Sequence, residues 1–314
     1  ICTKLNICTL NSPTSQSQTV VGYKKMKMKR LELFEFEDFD WLPDYIRTGV
    51  TNLIKVFHSL VGTTDVLVDI ITNYREKIKF NQIIDLGSGS GGPMIDVVDK
   101  INMDSEIEKP IKLFLSDKYP NAKTVRRING LELPNVEYLN NSVDAMEMKN
   151  SPNGLKTMIA SFHHIPPSIA KQILSAAEES KEPILIYELA ENNIPVIIWL
   201  LFLPISLTVL VVMSLIMTPF VRPLTINQIV FTYLIPVIPI VYAWDGQASI
   251  MRTYTFEDIE TLIKKRKNTT YTWGMCQAKK KNGKKAGYYI LGYNTIDTPY
   301  NRVDGSCGIG QSSR

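Results

Sequence analysis

Three features predict an α/β fold built on a mostly parallel sheet: an apolar run entering a glycine-rich turn, further short apolar runs that end in polar residues, and a late hairpin signal. The first is Ile83-Ile84-Asp85-Leu86, then Gly87-Ser88-Gly89-Ser90-Gly91-Gly92-Pro93, then the helical pattern from Met94 to Ile101. Glycines at 87, 89 and 91 let the backbone turn tightly, approach a ligand and aim the N–H groups of the next helix at it. Gly87-x-Gly89-x-x-Gly92 also satisfies the dinucleotide fingerprint, so the loop alone predicts a nucleotide-type cofactor without choosing one.

The strands that follow place polar groups in order. The run Ile111 to Leu115 ends at Ser116-Asp117, where an acid can accept hydrogen bonds from ribose hydroxyls. A third strand, Asn135 to Leu139, precedes Ser142-Val143-Asp144-Ala145, with Asp144 placed to accept from an adenine amino group. A fourth, Thr157 to Ala160, leads into Ser161-Phe162-His163-His164, and a fifth, Pro183 to Glu188, ends in an acid. Near the end, Tyr271 to Ala278 and Gly287 to Tyr293 flank Asn282-Gly283, a strong hairpin turn.

In this order the residues resemble the class I S-adenosylmethionine-dependent methyltransferases, over roughly Asn81 to Tyr293 apart from one interruption. The resemblance implies a Rossmann-like sheet, mostly parallel with a closing antiparallel hairpin, and S-adenosylmethionine as cofactor. It sets Asp85 near the methionine end of the cofactor with Gly87, Gly89 and Gly91 against it. Asp117 matches the ribose-binding acid, and Asp144 with Ala145 the adenine-contacting pair. A terminal antiparallel strand favours methyl transfer over hydride transfer, since a dinucleotide-binding half continues as parallel strands. A membrane NAD(P)-dependent oxidoreductase and a non-catalytic membrane scaffold are the alternatives.

At 314 residues with 45% hydrophobic content, the chain suits one domain with additions. Six stretches are expected: a leader at 1–25, an N-terminal helical cap at 26–78, a core at 79–193, a hydrophobic insertion at 194–244, the rest of the core at 245–297 and a tail at 298–314. The opening residues are rich in Ser, Thr and Asn, and Met26 or Met28 is read as a true start. Apolar residues from Ile46 to Leu60 at helical spacing predict one cap helix, and Thr64-Asp65 is read as capping a second, Val66 to Lys77. Such helices cover the cofactor in the resembling family. Cys2, Cys8, Cys276 and Cys307 have no zinc-like spacing, so a reduced cytoplasmic setting and no metal site are expected.

The interruption follows strand five. No charged residue occurs from Ile194 to Val221, nor from Leu224 to Trp244, and Arg222 lies between. Each run is about as long as the roughly 20 residues that cross a bilayer. Both ends must return to one sheet, so two crossings or none are allowed. A transmembrane hairpin is expected ahead of a re-entrant or interfacial anchor, although Pro236 and Pro239 disfavour a regular helix at that end. Lys264 to Lys267 and Lys279 to Lys285 put positive charge on the catalytic side, as a cytoplasmic face would. A net charge of +4 without aromatic interleaving argues against nucleic acid. Thr255 with Asp258 predicts a capping box for a last helix.

The expected acceptor is therefore a small molecule or lipid at a membrane. His163 and His164, at the carboxyl end of strand four, sit where an acceptor enters, and a histidine there suits a general base. Glu188 and Asp245 are further candidates for polar acceptor contacts.

Overall fold

The computed structural model describes residues 28–103, 109–263 and 270–295. The expected leader and tail, and the basic run Lys264 to Lys267, lie outside the described residues.

Seven strands form one sheet: β1 (Gln82–Leu86), β2 (Lys112–Ser116), β3 (Val136–Tyr138), β4 (Leu155–Ile159), β5 (Ile184–Glu188), β6 (Tyr271–Lys279) and β7 (Lys285–Asn294). Their order is β3-β2-β1-β4-β5-β7-β6. The first five pair in parallel, and β7 pairs antiparallel with both β5 and β6. This is the closing arrangement the resemblance implied, and it departs from the all-parallel order of a dinucleotide-binding sheet. The short apolar strands are buried on both faces because helices cover both. On one face pack α2 (Thr63–Ile78), α3 (Met94–Asn102) and α4 (Ala122–Asn129), through Leu67, Ile71, Val97, Ile101 and Ile128. On the other pack α5 (Pro167–Ser180) and α9 (Phe256–Ile263), through Ile173, Leu174, Ile259 and Leu262.

The β6–β7 turn closes at Gly283, whose φ of 79° suits glycine. The capping box at α9 forms as expected: Asp258 N–H donates to Thr255 Oγ1 at 3.2 Å and Thr255 N–H to Asp258 Oδ2 at 3.1 Å. The cap of α2 differs, because Gly62 in the left-handed region supplies it and Thr63 and Thr64 are already helical. A glycine that can adopt positive φ ends the preceding turn without any side-chain acceptor. Cys276 on β6 is disulfide-bonded, a bond that the expected reduced setting does not supply. Spacing along a sequence reports metal-ligand patterns but not which sulfurs meet in space.

Ahead of the sheet stands α1 (Asp44–Leu60), and after β5 comes the apolar insertion: α6 (Val196–Met217), α7 (Ile226–Ile229) running into a π-helical turn Val230–Leu234, and α8 (Val237–Arg252). Among the described residues one helical stretch, Val196–Phe220, is long and apolar enough to cross a membrane, and Ile226–Leu234 meets α8 at a bend of 80°. The bend falls at Pro236, which lacks an N–H to carry the helix through. The boundary expected after Trp244 falls inside α8, which runs on to Arg252. Loss of apolar character there marks a change of surroundings along one helix rather than its end. Leu42, Ile46, Val50 and Leu53 beside and on α1 form a third apolar cluster with Met217, Val221, Ile238, Val241 and Tyr242.

Candidate active site

The turn after β1 is held from below. Asp85 is buried, and its two carboxylate oxygens accept from Ser88 Oγ and Thr157 Oγ1, each at 2.7 Å. Burial pushes its carboxyl up to about 6 against those two hydrogen bonds. Asp85 therefore braces the turn against β4 rather than lining the cavity above it. Asp117, at the tip of β2, accepts from Gly89 N–H at 3.3 Å and Tyr119 N–H at 2.9 Å. Asp144 pairs with Lys118 at 2.7 Å and accepts from Met146 N–H at 2.9 Å, with Ala145 packed beside the second core cluster.

Above the turn lies a cavity of about 360 Å³ lined by Gly87, Ser88, Gly89 and Gly92, by Ser161 and His164, by Glu37, and by Thr51, Ile54, Lys55 and His58 of α1. Gly91 faces elsewhere: a side chain there would meet Ile128 at 3.1 Å and Ile95 at 3.3 Å, so this glycine serves helix packing. At Gly87 a side chain would begin 3.9 Å from Ser161 Oγ, a buried hydroxyl with no hydrogen-bond partner among the described residues. A glycine cradle with positive φ at 87, 89 and 92, facing an unsatisfied hydroxyl, fits a ligand that brings polar atoms close to backbone.

All three histidines of the chain gather here. His163 Nδ1 lies 2.8 Å from Glu188 Oε2, and its backbone N–H donates to Glu188 Oε1 at 2.9 Å. His164 Nδ1 lies 2.9 Å from Glu35 Oε2, and the two rings stand 4.1 Å apart. Burial opposes a charge on His163, but the Glu188 and Glu35 carboxylates together outweigh it and raise its pKa. Burial lowers that of His164, Glu35 pulls the other way, and the neighbouring His163 deepens the drop. Two imidazoles this close do not both ionise, so the proton belongs to His163 and His164 is neutral. Of the two, only His164 lines the cavity. His58 is neutral as well, its pKa held to about 4 by burial, with Nδ1 2.9 Å from Thr63 Oγ1.

Glu35 comes from the segment before α1, outside the residues that the sequence singles out for a site. Burial works to raise its pKa, but the hydrogen bond from His164 and the charges of His163 and Arg252 outweigh it and keep the carboxylate ionised. Arg252 Nη1 lies 3.3 Å from Glu35 Oε2 and 2.6 Å from Asp38 Oδ2, and Ser249 Oγ donates to Glu35 Oε1 at 2.8 Å. Asp245 accepts from the N–H groups of Phe36 and Glu37 at 2.7 and 3.2 Å, fastening that segment to α8. Glu188 and Asp245 do not line the cavity, and neither does Asp117. Their carboxylates are already taken by His163 and by backbone. Arg30 donates to the carbonyls of Ile165 and His163 at 2.7 and 3.0 Å, fixing the loop that carries the histidines. Glu35, His163 and His164 offer ligand atoms within 4.8 Å of one another, the one such metal-sized group among the described residues. Arg252 already supplies positive charge at Glu35. Glu37 adds a buried carboxyl at the cavity wall, raised by burial to about 7.

No protein-family model matches the chain, and no curated protein matches it. Solved structures similar to it include the plantazolicin methyltransferase BpumL in complex with SAH, at 10% identity over 79% of this chain and 87% of that one, TM-score 0.46. The same enzyme with a monoazolic desmethylPZN analogue and SAH gives 11% identity over 79% and 89%, TM-score 0.48. A SAM-dependent methyltransferase from Aquifex aeolicus gives 11% identity over 71% and 87%, TM-score 0.38. The α/β fold assigned above rests on the strand order and directions of the sheet itself.

Proposed function

We propose that this chain transfers a methyl group from S-adenosylmethionine to a small, lipophilic acceptor, such as a lipid, quinone or isoprenoid, at a membrane surface. The observation that carries the reading is the cavity in which the glycine turn after β1 faces a neutral His164 backed by an ionised Glu35. The antiparallel closure by β7 and the acid at the tip of β2 support it.

The cofactor supplies a methyl group already activated on its sulfonium. Gly87, Gly89 and Gly92 would let backbone close on it, and Asp117, which stands outside the cavity lining and accepts from Gly89 N–H, would fix that cradle and, as the acid at the tip of β2, be the acceptor for its ribose hydroxyls. The cap helix α1 excludes water from one side. His164 donates Nδ1–H to Glu35, which leaves Nε2 as the basic nitrogen that takes a proton from an acceptor hydroxyl or acidic carbon. Glu35 steadies the imidazolium so formed, and Arg252 holds Glu35 in place. The uncharged insertion beside this cavity supports a membrane location and an apolar acceptor.

Calorimetric binding of S-adenosylmethionine and S-adenosylhomocysteine to detergent-purified protein, with NADH as control, tests the reading. Asp117→Ala removes a charged acceptor and is expected to weaken binding by roughly 10- to 100-fold. Binding of NADH alone, or of none of the three, overturns it.

A further inference from the structure

The long apolar helix α6 does not leave the catalytic body at either end. At its start, Ile194, Pro195 and Val196 share a cavity wall with Tyr254 and Tyr288, and Trp199 is buried with Nε1 donating to Gln247 of α8 at 2.9 Å. At its far end, Met217 and Val221 are each 1% exposed, packed in the cluster with Leu42, Ile46, Val50 and Leu53. These last belong to α1 and its approach, and α1 carries Thr51, Lys55 and His58 in the active-site cavity on its other face.

Twenty-two residues of helix span about 33 Å at 1.5 Å per residue. In a spanning hairpin the far end of α6 would lie in the opposite headgroup layer, and α1 would follow it into the hydrocarbon. That would bring Asp44, Arg47 and Lys55 into lipid, an expensive placement for charge. The tether at Met217 instead keeps both ends of α6 on the side of the cavity. Antiparallel to α6, α8 runs from Ile238, against Gly49 of α1, to Arg252 at the histidine pair, so the two helices lie across the body.

The outer side of α6 has no cover. Ile197, Leu201, Ile205, Val209, Val212, Ile216 and Phe220 follow at helical spacing and are each 48% exposed or more. Nineteen of the twenty-seven exposed large apolar side chains among the described residues fall between 194 and 240. Arg222 is exposed next to buried Val221, and its Nη1 donates to the carbonyls of Pro219 and Val221 at 2.8 and 2.9 Å.

We propose that the insertion is monotopic: α6 lies along one leaflet with its Ile197-to-Phe220 stripe in lipid, crosses nothing, and sets the active-site cavity at the headgroup layer. The proposal deepens the membrane association proposed above. Its readout is the side on which residues sit, so it holds or fails independently of methyl transfer.

The test uses sealed membrane vesicles from cells producing the full chain, a membrane-impermeant maleimide, and the parent protein as background. Lys281→Cys in the β6–β7 turn reports the catalytic side, and Arg222→Cys, with Asn227→Cys as a second reporter, marks the far end of the insertion. All three are expected to label alike, either in intact vesicles or together only after permeabilisation. Opposite behaviour of 281 against 222 and 227 would show a spanning hairpin and overturn the proposal. The paired variant Ile205→Lys with Val209→Lys is expected to lower the membrane-bound fraction by about tenfold or more. An unchanged bound fraction would overturn it, and so would a soluble parent that sediments as a dimer and is dispersed by these lysines, since a second copy would then cover the face.

Discussion

His164 and Glu35 meet at 2.9 Å across two parts of the chain that share no secondary structure, one at the tip of β4 and the other in the segment before α1. The segment that brings the carboxylate is fastened to α8 through Asp245 and Arg252, so the histidine is oriented by an element that packs on the apolar insertion. The base proposed at His164 depends on contacts that can be removed singly.

His164→Gln and Glu35→Gln are each expected to lower the rate of methyl transfer by about 10²- to 10³-fold while leaving S-adenosylmethionine affinity within about twofold. His163→Gln should act through positioning, since His163 lies outside the cavity. Single-turnover rates beside calorimetric affinities separate the two roles.

The pH dependence follows from the neutral state of His164. Its pKa is lowered, so activity should rise with pH along a limb whose midpoint lies below the ordinary value of about 6.5. Glu35 pulls that pKa up, so Glu35→Gln should move the limb further toward acid even as the plateau rate falls. A limb that moves toward alkali would contradict the assignment.

His58 makes a prediction about stability rather than rate. Its folded pKa of about 4 lies below the unfolded value near 6.5, so the unfolded chain binds more protons between those two pH values. Its contribution is full above pH 6.5 and is lost as pH falls toward 4. The upper bound is about 3 kcal/mol. In His58→Gln, urea unfolding should show a shallower loss of stability over that window than the parent.

Gly287→Ala is expected to destabilise the fold by several kcal/mol. Its φ is +82°, and a side chain there would sit 2.1 Å from the Glu188 carbonyl oxygen, where two strands of the sheet press together. Thermal unfolding followed by circular dichroism reads the loss. Gly283→Ala, in the open turn, meets no atom within 4 Å and should cost only the strain of its positive φ.

The sheet was legible because its signals are local. Apolar runs of strand length, a glycine turn and Asn282-Gly283 lie within a few residues of what they specify. The polar centre was legible only in part: His163 and His164 stand at a strand tip, where topology puts ligands, but Glu35 and Arg252 carry no periodic or motif signal. Their partners are set by the packing of α8 against the segment before α1, which no spacing records. Asp85 shows a related limit, since a motif fixes the residue type but not whether its carboxylate turns up toward a ligand or, as here, onto Thr157. A short alternation of aromatic and acidic residues, Phe34-Glu35-Phe36-Glu37, was the one trace of the buried acids, with Glu35 and Glu37 at 1% and 7% exposure.

The single helix α8 joins two chemistries, with Ile238 and Val241 in the apolar cluster at one end and Asp245 and Arg252 in the polar network at the other. The insertion is consequently not an appendage that protein engineers can trim away. Excising 194–244 to make a water-soluble protein would strip the cover from Leu42, Ile46, Val50 and Leu53 and cut α8 immediately ahead of Asp245, whose carboxylate holds the segment that carries Glu35. The route to a manageable protein is to recolour the outer stripe of α6 with polar residues while its inner side, from Trp199 to Met217, stays as it is.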